Sequence, residues 1–389
     1  MVNTQVVRWT EAGEDRSARW RSESGAPAPK RVVIADDETT ADAAYRMACE
    51  GTAMLWRGDF HNARQLLQAM ARRIDRKPRR SNPKPGPAAA TDAPATEPTP
   101  SAVAFHRHRQ AQNLRARTLG MLLVPLGPDH AVELRRAPDV RLACAEAYGP
   151  ADEPSIASLR ELLGLIGAHE WRRKGVEIAS LGDRIHPHYG VFSPVRSEYV
   201  DLVAEAALPS LVSAFDIGTG TGILAAVLAG RGVKHVVATD LDQRAVDCAG
   251  ENLARLGLTD RVSVLRTDLF PLGRAPLVVC NPPWVPARPA TPVDHAVYDP
   301  GSRMLLGFLD GLAEHLEPGG EGWLLLSDLA EHLGLRTREE LLAAIDAAGL
   351  TVLGRADIQP THRRVFDESD PLHVARAAEV TSLWRLGVR

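Results

Sequence analysis

Eight residues constrain this chain more than any others: Phe215-Asp216-Ile217-Gly218-Thr219-Gly220-Thr221-Gly222. An apolar run, Leu211–Ile217, leads into them, and a second apolar run begins at once with Ile223-Leu224-Ala225-Ala226. Glycines at alternate positions let the backbone turn tightly and let a ligand approach it closely. A strand that ends in such a loop and continues directly as a helix is the first half of a βα unit. In open α/β sheets, ligands bind at the carboxyl ends of the strands, near the switch in strand order.

The rest of the C-terminal half agrees with that start. Strand-like runs cover Leu211–Ile217, His235–Asp240, Arg261–Thr267, Ala275–Cys280, Gly322–Ser327, Leu350–Ile358 and Glu379–Leu386. Helix-like stretches cover Gly222–Arg231, Asp242–Leu256, Ser302–Leu316 and Thr337–Ala348. Alternating strands and helices predict a doubly wound, mainly parallel, Rossmann-like sheet. The last two strand candidates have no clear helix between them, so an antiparallel hairpin is expected at the sheet edge.

The glycine spacing discriminates between ligands. A dinucleotide fingerprint, GxGxxG, puts its third glycine at position 223, which is Ile. There is no GxxxxGK[ST], so a P-loop is excluded. The pattern is instead acidic-x-Gly-x-Gly-x-Gly. An acid before the loop suits a cationic group such as an ammonium and suits a pyrophosphate poorly. Asp240 ends the next strand, followed by Leu241 and Asp242. A carboxylate there can accept both hydroxyls of a ribose. The third strand ends at Asp268-Leu269, where a carboxylate can face an adenine amino group. Asp242 itself reads as a helix N-cap. An adenosine-containing, positively charged amino-acid ligand satisfies all of these positions. S-adenosylmethionine is such a ligand, with Asp216, Gly218, Thr219, Gly220, Thr221, Gly222, Asp240, Leu241, Asp268 and Leu269 as its candidate contacts.

The fourth strand runs into Asn281-Pro282-Pro283-Trp284. Two prolines end the ladder and stiffen the chain. They hold Asn281 at the strand tip, where its amide oxygen and a backbone carbonyl can accept from an NH2 group on a planar carbon. Trp284 offers a flat face for stacking. Methyl transfer from a sulfonium to such a nitrogen rests mainly on positioning, aided by acceptors that offset developing positive charge. The candidate catalytic residues are therefore Asn281, Pro282, Pro283 and Trp284, with Asn281 also touching the cofactor site.

These motifs resemble those of class I S-adenosylmethionine-dependent methyltransferases of the Asn-Pro-Pro-aromatic branch. That branch includes HemK-like glutamine methyltransferases of release factors, N6-adenine methyltransferases and small-domain rRNA guanine methyltransferases. Phe215–Gly222 matches the family's first motif, Asp240 its ribose-binding acid, Asp268-Leu269 its adenine contact and Asn281–Trp284 its catalytic motif. Leu316-Glu317-Pro318-Gly319-Gly320 also fits. Upstream, His188–Glu198 resembles the segment that, in HemK-like enzymes, packs over cofactor and target. The likeness covers about half of the chain, residues 186–389, and implies methyl transfer without specifying the acceptor.

The N-terminal half is organised differently. Between residues 61 and 120, twelve Arg and Lys face three Asp and Glu, a local +9 in a chain whose net charge is -3. The densest run, Arg72–Arg80, can contact phosphate backbones or serve as a solvated helix end. Seven prolines between Pro78 and Pro100, with Ala, Thr and Ser, predict an extended linker. Apolar residues near helical spacing predict helices over 39–76, with a break at Gly58-Asp59. A basic helix is expected over 105–119, a hairpin from Met121–Leu126 to Ala131–Arg135, and a further helix over Ser158–Lys174. The predicted organisation is a small, mainly helical region (1–77), a Pro/Ala-rich linker (78–104), a helix-hairpin-helix recruitment region (105–184) and a methyltransferase domain (185–389).

Composition bounds the setting. Hydrophobic residues are 44% and charged residues 24% of the chain, an ordinary globular mix. The apolar runs are too short for a membrane span, and Arg8, Glu11, Glu14, Asp15 and Arg16 stand where a signal peptide needs an apolar stretch. Four scattered cysteines without a CxxC pair predict neither a disulfide framework nor a zinc site, and fit a reducing cytoplasm. His186 and His188 read as surface residues rather than metal ligands. The expected activity is N-methylation of a planar NH2 group on a macromolecule of the translation apparatus: a glutamine amide of a ribosome-associated protein, or an exocyclic amine in RNA or DNA. A small-molecule methyltransferase is the alternative. A nicotinamide dehydrogenase fails on the glycine spacing.

Overall fold

The computed structural model describes residues 5–76, 100–151, 153–194, 197–289, 294, 296–360 and 366–389. The chain divides into two compact units, residues 1–166 and 167–389.

The first unit is built on a six-stranded sheet of order β1-β2-β6-β5-β4-β3. Its strands are β1 (Val6–Glu11), β2 (Glu14–Arg21), β3 (Arg31–Ala35), β4 (Thr52–Trp56), β5 (Leu122–Leu126) and β6 (Ser155–Ser158). The β1–β2 hairpin closes through Ala12 and Gly13, both in the left-handed region at φ 54° and 82°, as a two-residue primed turn requires. Strands β3, β4 and β5 run parallel, and β6 pairs antiparallel with β5. Helices α1 (Ala41–Cys49), α2 (Phe60–Ile74) and α3 (Pro100–Leu119) pack on one another between these strands. A fourth, α4 (Arg141–Tyr148), joins β5 to β6.

This architecture departs from the expected one in several places. Residues 1–77 are not mainly helical, since they carry four strands and two helices. Residues 52–56 are strand rather than helix. The run Thr-Ala-Met-Leu-Trp is nearly all buried and pairs on both sides. A strand in the middle of a parallel sheet shows a continuous apolar run, which periodicity cannot tell from a buried helix. The predicted hairpin at 121–135 is absent, because β5 finds its partners in β4 and β6. Residues 1–77 and 105–158 are not separate regions, since both supply strands to one sheet. The predicted linker lies at residues 78–99 outside the described residues, and residues 100–104 belong to α3.

The division between units falls at Ile166/Gly167, inside helix α5 (Leu159–Lys174), rather than at 184/185. The second unit opens with a small antiparallel pair, β7 (Val176–Ile178) and β8 (Asp183–Ile185), then α6 (Glu198–Glu205). Its main sheet holds β9 (Ser213–Ile217), β10 (His235–Asp240), β11 (Val262–Arg266), β12 (Ala275–Cys280), β13 (Leu316–Ser327), β14 (Leu350–Ile358) and β15 (Thr381–Val388). The order is β11-β10-β9-β12-β13-β15-β14. The first five are parallel to one another, and β15 lies antiparallel between β13 and β14. The expected doubly wound sheet with an antiparallel edge is therefore present. Strand order reverses between β9 and β12, which makes the ends of these two strands the switch point.

Strand residues alternate between two cores. Ala214, Val236, Ala238, Val279, Trp323 and Leu325 face α6, α7 (Ile223–Gly230) and α8 (Gln243–Arg255). Phe215, Ile217, Val278, Cys280, Leu324 and Leu326 face α9 (Arg303–His315) and α11 (Arg338–Ala347). Each fully buried Leu, Val or Phe side chain stabilises this layering by about 1.5–3 kcal/mol. Short helices α10 (Leu329–His332) and α12 (His373–Ala378) complete the unit. No helix among the described residues is long and apolar enough to cross a membrane.

Candidate active site

The parallel register sets the site. Thr239 and Cys280 both lie opposite Ile217. Asp240, Gly218 and Asn281 each follow by one residue, so they stand level across three adjacent strand ends. Two strand spacings separate Asp240 from Asn281, about 10 Å. The sequence-predicted ribose acid and catalytic amide therefore flank the glycine loop from its two sides.

The loop is locked by its own polar atoms. Gly218, Gly220 and Gly222 have φ values of 71°, 56° and 82°, where a side chain is strained. A Cβ at Gly218 would also lie 2.2 Å from Met304 Cε, whereas one at Gly220 would meet nothing within 4 Å. The loop is thus closed on the Gly218 side by α9 and open at Gly220. The Thr219 N–H donates to the Thr239 carbonyl at 2.8 Å, tying the loop to β10.

Asp216 is 1% exposed. Its Oδ2 accepts from Thr219 Oγ1 at 2.6 Å and from the Ala225 N–H at 3.0 Å. One carboxylate oxygen therefore ties loop to helix. The other, Oδ1, is buried with no hydrogen-bond partner among the described residues. Burial pushes this carboxyl up to about 6, against the opposing pull of the Thr219 and Ala225 hydrogen bonds. Asp240 is also raised, mainly by burial. Its Oδ2 accepts from the Gly220 N–H and its Oδ1 from the Asp242 N–H, both at 3.0 Å. These two donors fix its orientation at the loop.

Asp268 follows the end of β11. Its Oδ2 pairs with Arg303 Nη2 at 2.7 Å, and both side chains are more than half exposed. Leu269 has φ 63°, and its carbonyl accepts from Thr239 Oγ1 at 2.6 Å. Leu241 is an exposed apolar side chain after β10. Thr221 is buried, and its carbonyl accepts from Asn252 Nδ2 at 3.1 Å.

At the end of β12, the Trp284 indole N–H donates to Asn281 Oδ1 at 2.8 Å. Trp284 meets buried Tyr199 edge-to-face, with 6.5 Å between ring centroids. Pro282 is buried and Pro283 half-buried. The chain then bridges from Val285 to Tyr298, and the Asp299 N–H donates to the Val285 carbonyl. Asp299 in turn accepts from the Met304 and Leu305 N–H groups at the start of α9.

Several residues that shape the site carried no sequence signal. Asn252, on α8, accepts from the His186 N–H at 2.8 Å and donates to the carbonyls of His186 and Thr221. It thereby fastens the segment before α6 to the glycine loop. His188 Nε2 and Arg172 both reach Glu251 Oε2 at 2.8 Å, and Arg244 lies over the Tyr189 ring. His186 Nδ1 lies 2.6 Å from the Arg172 carbonyl. The segment expected to cover the site is therefore docked on α8 over residues 186–189. Ser193 Oγ is buried without a partner among the described residues. Val195 and Arg196 lie outside the described residues. Asp299, Met304 and Asn252 are distant in sequence from the motifs, and only their pairings reveal them.

The arrangement fits S-adenosylmethionine. The orphaned Asp216 Oδ1, the open backbone at Gly220 and the oriented Asp240 carboxylate offer acceptors and close backbone approach.

Comparison with known proteins agrees with this reading. Residues 202–282 match the family described as ribosomal protein L11 methyltransferase (PrmA). A release factor glutamine methyltransferase from Cereibacter sphaeroides is 31% identical over 169 residues, which are 40% of this chain and 58% of that protein. A ribosomal protein uL3 glutamine methyltransferase from Bordetella pertussis is 34% identical over 114 residues, 27% of this chain and 38% of its own. A tRNA1(Val) (adenine(37)-N6)-methyltransferase from Vibrio parahaemolyticus is 39% identical over 95 residues, 23% of this chain and 40% of its own. The chain thus spans between 38% and 58% of the length of these relatives. All three are methyltransferases by name, as the resemblance of the motifs implies.

Proposed function

We propose that residues 167–389 are an S-adenosylmethionine-dependent N-methyltransferase, acting on a planar NH2 group of a macromolecule of the translation apparatus in the cytoplasm. The observation that carries this is the level placement of Asn281 and the glycine loop at the switch point, with Trp284 holding the amide.

When bound, S-adenosylmethionine supplies an electrophilic methyl group on a sulfonium. Asp216, Gly218, Thr219, Gly220, Thr221, Gly222, Asp240 and Leu241 line its proposed site, with Asp268 and Leu269 at its far edge. The residues of the chain then do three things. The Asn281 amide oxygen has two lone pairs, one taken by Trp284. The other accepts a hydrogen of the incoming NH2 and orients the nitrogen. Prolines 282 and 283 fix the backbone so that a carbonyl accepts the second hydrogen. The two acceptors offset positive charge that develops on the nitrogen, and the Trp284 face excludes water from one side. Positioning of this kind supplies most of what an in-line displacement needs.

The names of the relatives support a glutamine side chain or a nucleobase amine as the acceptor class. The deciding experiment incubates the purified chain with cell lysate and radiolabelled S-adenosylmethionine, then splits the label by nuclease and protease. Label in macromolecules lost to either enzyme supports the proposal and names the acceptor class. Label only in small molecules overturns it in favour of a small-molecule methyltransferase.

A further inference from the structure

Helices α2 and α3 of the first unit contain seven arginines and no Asp or Glu. Their buried faces are ordinary: α2 buries Phe60, Ala63, Leu66, Leu67 and Met70 and packs against α1 and α3. Its opposite face is exposed at His61, Arg64, Gln65, Gln68 and Arg72, the i, i+3, i+4, i+7, i+11 pattern of one helix face. Helix α3 buries residues only near its ends, at Ala102, Phe105, Thr118 and Leu119. Its twelve central residues, His106–Arg117, include none that is buried. They read HRHRQAQNLRAR, with Gln110, Gln112 and Asn113 between two arginine pairs. A helix that is polar all round gains little from the core of its own domain.

The two helices are held together rather than splayed. Arg115 makes a two-pronged pair with Asp75, the residue that caps α2, at 2.9 and 3.1 Å. Arg73 pairs with Asp42 on α1 at 2.7 Å. These two acids thus engage two of the seven arginines, Arg115 and Arg73. At the other end of α2, Arg135 and Arg136 both reach Asp59 through Nε, at 2.8 and 2.7 Å. Asp59 is buried, yet the two arginine side chains are 75% and 57% exposed. They add two guanidinium groups at the positive end of the helix.

We propose that the outer face of α2 and α3, bounded by Arg64, Arg72, Arg107, Arg117, Arg135 and Arg136, is an RNA-binding surface that recruits the substrate of the methyltransferase unit. Charge complementarity selects a polyanion. The Gln and Asn amides between the arginines add hydrogen bonds to sugars and base edges, which a plain anionic surface would not use. RNA rather than DNA follows from the translation-related substrate class, so the inference rests on the function proposed above.

The test measures binding of the full chain to transfer RNA and to duplex DNA by filter retention across a salt series. Wild type is compared with the quadruple variant R64Q/R72Q/R107Q/R117Q and with Asn281→Ala. Each phosphate contact contributes about 0.7–0.9 to the slope of log K against log salt. The quadruple variant is expected to lose about 3 from that slope and at least tenfold in affinity at low salt, with its melting transition in place. Asn281→Ala is expected to bind RNA like wild type. No RNA binding, an unchanged slope in the quadruple variant, equal affinity for duplex DNA, or equal competition by polyglutamate would each overturn the proposal. If transfer activity is absent while the salt-dependent RNA binding stands, the catalytic reading alone has failed.

Discussion

The indole N–H of Trp284 and the amide oxygen of Asn281 lie 2.8 Å apart, three residues from each other across two prolines. An indole nitrogen only donates, so this contact fixes which end of the Asn281 amide is oxygen. Trp284→Phe keeps a ring and removes the donor. A single neutral hydrogen bond contributes about 1 kcal/mol. The expected result is a several-fold drop in kcat with KM for S-adenosylmethionine unchanged. Steady-state kinetics with both constants resolved check it, and a phenylalanine variant as fast as wild type would remove Trp284 from the positioning of Asn281.

Asn281→Ala removes the acceptor itself. Methyl transfer is expected to fall by about 10² or more, the scale for losing one preorganised group at a reacting centre. Cofactor affinity, measured by titration calorimetry, stays within a few-fold because Asp216, Asp240 and the glycine loop are untouched. Persisting activity would show that the Asn-Pro-Pro-Trp turn is structural.

Gly218→Ala meets two obstacles, a φ of 71° and Met304 Cε at 2.2 Å from the new Cβ. A non-glycine residue in this region costs about 1–3 kcal/mol. Thermal unfolding is expected to shift down accordingly and cofactor binding to weaken. Adding Met304→Ala relieves the contact but not the backbone, so rescue should be partial. Complete rescue would mean that the contact alone excludes a side chain.

Asp216 gives a pH signature. Burial raises its folded carboxyl to about 6 from an ordinary value of 3.8. Its contribution to stability is fully present below 3.8 and is lost as pH rises through 6, because the buried oxygen then carries an uncompensated charge. Binding runs the other way, since only the ionised form attracts an ammonium. Cofactor affinity should therefore rise between about pH 5 and pH 7 in wild type and stay flat in Asp216→Asn. Equal pH profiles in the two proteins would assign Asp216 to loop structure alone.

Asn252→Leu keeps the branched outline of the side chain, with bulkier methyl ends, and makes none of the hydrogen bonds to His186 and Thr221. Leaving such buried partners unsatisfied costs about 1–3 kcal/mol. Amide exchange across residues 185–192 should accelerate, and the glycine loop should lose cofactor affinity with it. Unchanged exchange would show that the segment is held by Glu251 and Arg244 instead.

Sequence alone determined the second unit's sheet and the existence of the site. Gly218, Gly220 and Gly222 permit the left-handed backbone that the loop adopts, strands β9 and β12 carry apolar residues for two buried faces, and two consecutive prolines break a ladder. These are local requirements, satisfied within a few residues, so they are written locally. Tertiary structure decided the rest. Buried β4 reads the same as a helix until β3 and β5 flank it. Asp268 turns to Arg303, a partner 35 residues away. Asn252 and Met304 join the site through helices that carry no motif, because which atoms meet across packed elements depends on the register and approach of those elements. The Asn281–Trp284 bond stands between these cases. Its residues sit in one motif, but only the fold of the turn points the indole at the amide.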